Sequence, residues 1–197
     1  MRNIYVFTDA DLDGAGSMLV TKLAYKDCNV TYKVTTEKKF KEDVLSWNLK
    51  HNFSDYDEVL FLDLNLNEDL IDLIDRDNVK VFDHHEDHVN LKSRYSKAQV
   101  TLENTTSCTL LLYKALKPEL TNYQKLLVKI IDDYDSYTLN ISYSVPLNQI
   151  FWNYTGNRVE KFINDFSDGF KGFNNNHKAV LRIVENRIKK YFEEQPL

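Results

Sequence analysis

Four short apolar runs, separated by stretches with helical spacing, constrain this chain more than any other feature. Residues 3–8 (NIYVFT) read as a first strand, and residues 29–35 (NVTYKVT) alternate as a second. Glu58–Asp63 (EVLFLD) is a near-continuous apolar strand, and Val79–Asp83 (VKVFD) is another. Gly14 and Gly16 permit a tight turn after the first run, and Ser17 is placed to cap a helix to about Lys26, with Met18, Leu19, Leu23 and Tyr25 in helical spacing. Thr36 opens a second helix whose apolar side is Phe40, Val44, Leu45 and Trp47, and residues 67–76 give a third, short one. Such alternation predicts an α/β fold, a mostly parallel sheet flanked by helices. In open parallel sheets the site lies beyond the carboxyl ends of the strands. Asp9, Asp63 and Asp83 all fall at such ends, so they converge although far apart in sequence.

Downstream, residues 97–102 read as one more strand, Thr105–Leu116 as a helix, and Thr121 as the cap of a helix to about Asp133 that ends in Asp132, Asp133 and Asp135. Pro146 breaks the pattern. From about Val159 a short helix follows, and a Gly- and Asn-rich segment leads to a long basic helix over residues 176–193. The expected organisation is a domain over residues 1–145 and a small helical C-terminal segment over 146–197. With 197 residues the chain buries a sizeable core, and its net charge of −5 argues against a broad basic face for long duplex nucleic acid. A short anionic substrate held through metals fits that charge. Cys28 and Cys108 lack zinc-type spacing and read as reduced thiols, which predicts a cytoplasmic protein. No run approaches the ~20 apolar residues of a membrane span, and Asp9 interrupts the first apolar stretch too early for a signal peptide.

The chemistry concentrates in TDADLDGAGS, residues 8–17. Asp9, Asp11 and Asp13 crowded at a strand end repel one another, and a divalent cation is the simplest partner. His84, His85 and His88 follow the fourth strand directly. Carboxylates with imidazoles suit Mn²⁺, Co²⁺, Fe²⁺ or Zn²⁺, and the excess of carboxylates favours Mn²⁺ or Mg²⁺. Enough ligands are present for two ions, which together activate water and neutralise a phosphate under in-line attack. Each piece also has an ordinary structural reading: a strand-end Asp as turn former, a His pair as solvated surface, the 132–135 acids as an exposed helix end. The last is disfavoured by the helix dipole. His51 and His177 read as surface. Two look-alikes fail. An EF-hand loop needs a helix before it and Glu at its twelfth position, where this chain has Val20. The haloacid-dehalogenase pattern needs Thr after the glycine, where this chain has Ala15.

Taken together, these clusters resemble the DHH phosphoesterase superfamily. The triplet is Asp83-His84-His85; DADLDG from Asp9 resembles the first motif of RecJ-like exonucleases; Asp63 matches the lone Asp of the second motif, Asp133 in IIDDYDSY the fourth, and TTSCTLLLY from Thr105 the Ser/Thr-rich helix start. The resemblance covers about residues 3–137. It implies that Asp11 binds a first metal and Asp13 a second, that Asp63 bridges them, and that His84 and Asp133 complete the second site, with Asp132 and Asp135 as alternatives to Asp133. Asp83 then orients a histidine, and His85 faces the scissile phosphate. Many members carry a His ligand where this chain has Phe7; Asp9 stands in for it, or the first site is weaker. No GGGH-type glycine-rich motif occurs in residues 1–197. Among the C-terminal cations, Arg158 and Arg182 are the candidates for substrate binding, with a solvated helix face as the alternative. Trp152, Tyr154, Phe170 and Phe173 either stack on bases or pack a core, and core packing is the commoner use.

The implied activity is metal-dependent hydrolysis, by a metal-bound hydroxide, of phosphodiester bonds in short single-stranded oligonucleotides or small nucleotides, with two Mn²⁺ or Mg²⁺ ions. A nucleotide phosphomonoesterase is the nearest variant, and a non-catalytic nucleotide-binding or scaffold module is the alternative from another class. A homodimer is left open.

Overall fold

In the computed structural model, residues 1–65, 67–85, 89–104 and 106–194 are described; His88 and Thr105, singled out above, lie outside them. The elements run β1 (Asn3–Thr8), α1 (Leu12–Ala24), β2 (Asn29–Val34), α2 (Glu37–Asn48), β3 (Glu58–Leu62), α3 (Ile71–Ile74), β4 (Val79–Asp83), α4 (Val89–Lys92), β5 (Gln99–Leu102), α5 (Cys108–Leu116), α6 (Asn122–Asp135), α7 (Ser144–Asn153), α8 (Arg158–Phe166) and α9 (Asn175–Glu193). The strands form one parallel five-stranded sheet in the order β2-β1-β3-β4-β5. From β1 the chain steps outward to β2 and then returns past β1 to β3. The order therefore reverses between β1 and β3, the crevice where open α/β sheets place their sites.

The pleat sorts the strand residues into two cores. Ile4, Val6, Leu60, Leu62 and Phe82 face α1, α5, α6, α7 and α8; Tyr5, Phe7, Val59, Phe61, Val79 and Val81 face α2 and α3. The two-sided cover explains why these strands read as continuous apolar runs. Leu147, Phe151, Val159, Phe162 and Phe166 of the C-terminal segment share the first core with β1 and α1, and the division expected near residue 145 falls inside the first turn of α7.

Several local expectations are corrected. α1 begins at Leu12, well before Ser17, because the Asp11 side chain accepts from Gly14 N and caps the helix there. Gly14 and Gly16 are therefore helical, and their role is close approach. A Cβ on Gly14 would lie 2.3 Å from the Asp9 carbonyl oxygen, and one on Gly16 would lie 2.4 Å from Thr109 Oγ1 and 2.6 Å from Ile131 Cδ1. Ser17 is buried inside the helix, its Oγ 3.5 Å from Thr109 Oγ1. Pro146 does not break structure; it sits in the first turn of α7, where a backbone N–H has no intrahelical partner to lose. Residues 67–76 form a 3-10 turn, Glu68–Leu70, followed by the single turn of α3. Leu45, expected on the apolar side of α2, is 45% exposed. His177, expected at the surface, is buried, stacks on Phe166 and lies 3.2 Å from Asp165 Oδ2.

Overpacking at Gly14 meets rigid backbone, at a cost of about 1–3 kcal/mol, against ~0.5–1 kcal/mol gained in helix propensity. We expect G14A to lower the urea midpoint; an unchanged midpoint would show that the 9–11 loop yields freely.

Candidate metal centre

The β1–α1 junction is folded tightly over the start of the helix. Thr8 Oγ1 donates to the Gly14 carbonyl at 2.7 Å, and Gly14 N donates to Asp11 Oδ1 at 2.8 Å. This holds Asp9 and Asp11 beside Asp63, and carboxylate oxygens of the three lie within 4.8 Å of one another. Asp63 directly follows β3, is buried, and adopts φ +57°, a left-handed conformation that an Asp tolerates better than most residues. Its amide donates to the Phe82 carbonyl, which ties the turn to β4.

A second group adjoins the first. Asp13, His84 and Asp135 also bring ligand atoms within 4.8 Å of one another. His84 Nε2 lies 3.1 Å from Asp63 Oδ1, 3.5 Å from Asp135 Oδ2 and 3.7 Å from Asp13 Oδ2. Asp13 is fixed by the N-terminus of α5: Cys108 N donates to Oδ2 at 2.7 Å and Thr109 N to Oδ1 at 2.9 Å. Behind the histidines, buried Asp83 holds His85, with Oδ1 and Nδ1 2.6 Å apart.

Burial and mutual repulsion act on these acids together. Burial, then Asp11, pushes Asp9 up to about 6; burial, then Asp11, pushes Asp135 up to about 7. Burial followed by the neighbouring aspartates holds Asp13 and Asp63 well above the ordinary carboxylate range. His84 is lowered by burial and by His85, which favours the neutral imidazole that ligates metals; His85 is raised, mainly by its hydrogen bond to Asp83. Among the described residues, the buried oxygens Asp63 Oδ2 and Asp135 Oδ2 have no hydrogen-bond partner. Oxygens left bare in a crowd of carboxylates beside a neutral imidazole fit divalent cations: such an ion offers the positive charge the acids lack, and the mixed oxygen-rich donor set suits Mn²⁺ or Mg²⁺.

Most of the expected residues meet here: Asp9, Asp11, Asp13, Asp63, Asp83, His84 and His85. Asp133 does not. It is buried and shares a cavity with His84 and Asp135, but its oxygens accept from Thr138 Oγ1, Asn140 N, Ile141 N and Ser144 Oγ. Burial pushes its carboxyl up, but these donors outweigh that and hold it at about 2. Asp135, one of the two alternatives to Asp133, is the acid that groups with Asp13 and His84. Helical spacing carried that signal: Leu127, Ile131 and Asp135 lie at i, i+4 and i+8, and Ile131 abuts Gly16 of α1. Asp132 takes a third role, accepting from Ser107 N at 2.8 Å. Phe7 stacks on Phe61 in the second core and makes no part of the centre. Arg158 is half-buried at the start of α8 and lines a cavity with Ala10, next to Asp9. Arg182 is exposed on α9 and is absent from the residues lining the cavities at the acids.

The model for the DHH family, N-terminal domain, matches residues 3–142. No curated protein matches the sequence. Among solved structures, an uncharacterized protein from Helicobacter pylori G27 aligns with TM-score 0.55 and 19% identity, over 76% of this chain and 48% of that one. CDC45 from Entamoeba histolytica aligns with TM-score 0.51 and 16% identity, over 83% and 34%. RecJ from Thermus thermophilus, in complex with Mn²⁺, aligns at 0.41 and 17%, over 68% and 21%. The chain thus spans less than half the length of each of these structures.

Two measurements test the geometry. D135N is expected to weaken Mn²⁺ binding by calorimetry, whereas D133N leaves binding largely intact and costs about 2–3 kcal/mol of stability, roughly 5–10 °C in Tm. The reverse pattern would return Asp133 to the centre. Without metal, Asp9 and Asp135 have folded pKa values of about 6 and 7, above the ~4 of the unfolded chain. The folded state then binds more protons between roughly pH 4 and 7, so metal-free stability falls as pH rises through that window. Melts in EDTA should show a lower Tm at pH 7.5 than at pH 5.5, with a shallower slope in D135N; a rising Tm would contradict the assignment.

Proposed function

Because the chain belongs to the DHH family, we propose that it is a divalent-metal-dependent phosphoesterase acting on phosphodiester bonds of short single-stranded oligonucleotides or small nucleotides. The observation that carries this reading is the cluster of acids with unpartnered buried oxygens at the β1/β3 crevice. Asp9, Asp11 and Asp63 would hold one ion, and Asp13, His84 and Asp135 the other, with Asp63 adjoining both. Bound there, such ions supply the Lewis acidity that activates water and offsets charge on a phosphoryl group.

The protein's own groups do the rest. Donating its Nδ1–H to Asp83 favours the protonated form of His85 at the mouth of the centre, so His85 can offer a proton or positive charge to a phosphate oxygen. Asp83 is its positioning residue. Arg158, which lines a cavity together with Ala10, would be the cation to meet a flanking phosphate. Short substrates are favoured because the cavities at the acids measure about 230 and 570 Å³ and the net charge is −5.

Metal-stripped protein with Mn²⁺ or Mg²⁺ restored should cleave one of a labelled RNA dinucleotide, longer single-stranded RNA or DNA, a cyclic dinucleotide, or a 3′-phosphorylated nucleotide. D63N should reduce turnover to background. D83N should lower it about 10–100-fold and move the alkaline limb of the pH profile to lower pH, because His85 loses its proton more readily. Tight nucleotide binding without turnover under either metal would favour a non-catalytic module instead.

A further inference from the structure

One wall of the metal centre opens into a cavity of about 230 Å³ whose other walls have a different chemistry. Asp11, Asp13 and Asp135 line one part, and Leu12, Ile131, Tyr134, Asn148 and Trp152 line the remainder. The volume is below the ~300–1,000 Å³ of pockets that enclose a whole drug-sized ligand, so it suits a fragment of a substrate. No Lys or Arg is among the described residues that line it, so away from the ions proposed at its acidic edge no side-chain cation there would hold a phosphate. The neighbouring cavity at His84 carries a cation, Lys129, beside Asp132, Asp133 and Asp135, and a buried hydroxyl, Thr106 Oγ1, that has no partner among the described residues. The apolar and aromatic part of the first cavity therefore suits a neutral planar group.

Trp152 is 49% exposed although α7 buries Leu147, Ile150 and Phe151 around it. It does not pack the core; it presents its indole at the cavity. The Arg158 guanidinium lies 4.6 Å from the centre of the indole ring, and Phe151 meets it edge-on. Trp152 lines the cavity and Arg158 does not, so the guanidinium steadies the ring without itself being among the lining residues. Asn148 Nδ2 donates to the Tyr134 hydroxyl at 2.6 Å. Among the described residues neither Asn148 Oδ1 nor the phenolic proton has a further partner, which leaves one acceptor and one donor beside an aromatic platform. A planar ring with a hydrogen-bonding edge satisfies all three.

We propose that the Tyr134–Asn148–Trp152 cavity is a nucleobase subsite that stacks one base of the substrate on Trp152 directly beside the reacting phosphate. The proposal rests on the phosphoesterase reading above and deepens it. It makes a base next to the scissile bond a requirement for efficient cleavage, and it distinguishes nucleotide substrates from other phosphate esters.

The test compares kcat/KM on an intact dinucleotide with two analogues, each abasic at one position. In the wild type one analogue should be cleaved roughly tenfold to a hundredfold less efficiently, the range that loss of one base–aromatic stack produces. In W152A that preference should collapse toward unity, and in W152F most of it should return. Wild-type protein indifferent to both abasic analogues, or W152A with the full preference, would overturn the subsite while leaving the hydrolase intact. A second readout needs no turnover. Adenosine 5′-monophosphate should quench tryptophan emission in the wild type and not in W152F, and ribose 5-phosphate should quench neither. Quenching by AMP without cleavage of any substrate would support the subsite and overturn the hydrolase; equal quenching by the base-free probe would overturn the subsite.

Discussion

The seat of Asp13 on the amino end of α5 is the interaction on which the rest of the centre depends. Two backbone amides, Cys108 N and Thr109 N, each take one carboxylate oxygen, and Thr109 Oγ1 returns a bond to the Asp13 carbonyl. This joins the first helix of the fold to one that begins after the last strand. Without it, an acid buried among Asp11, Asp63 and Asp135 would have little reason to stay. The amides and the positive end of the α5 dipole favour the anion from one side, which leaves the other side for the remaining acids to share. Gly16 belongs to the same arrangement, because only a residue without a Cβ lets α1 approach Thr109 and Ile131 this closely.

Much of this was legible in the sequence, for a simple reason. Asp9, Asp63 and Asp83 each follow a run that can only be a buried strand, and a parallel sheet brings such ends to one edge. Position relative to a strand end needs no knowledge of side-chain direction. Where direction decided the outcome, the sequence was less clear. Asp133 and Asp135 stand two residues apart on one helix and face different surroundings, the first a ring of donors from residues 138–144, the second the metal centre. Local composition could not separate them; the stripe Leu127–Ile131–Asp135 could. The glycines misled because close approach and tight turning call for the same residue. Pro146 misled because its effect depends on whether it falls in the first turn or later. His177 lacks local sequence context altogether, and its burial comes from Phe166 and Asp165 on another helix.

The two faces of the sheet divide the work. The second core is dominated by aromatic contacts, among them Phe7 on Phe61 and Trp47 on Phe53, and carries none of the acids. A dense hydrocarbon layer on that side fixes the strands from behind. The first side carries α1, α5 and α6, which hold the charged groups, and α7, which brings Trp152 to them. Phe7 shows the division at a single residue: it is a residue of the aromatic layer, and Asp9, two positions later, is one of the clustered acids.

The left-handed backbone of Asp63 limits how such a centre can change over time. At φ +57° most side chains strain the turn by on the order of 1 kcal/mol or more, while Gly, Asn and Asp sit there readily. Of the residues the turn accepts readily, only Asp carries a charge. Change that preserves the fold therefore has few openings at this position, and the least disruptive is the exchange of one oxygen for an amide. A lineage that kept this scaffold for binding alone would be expected to carry that signature at residue 63, with the surrounding turn unaltered.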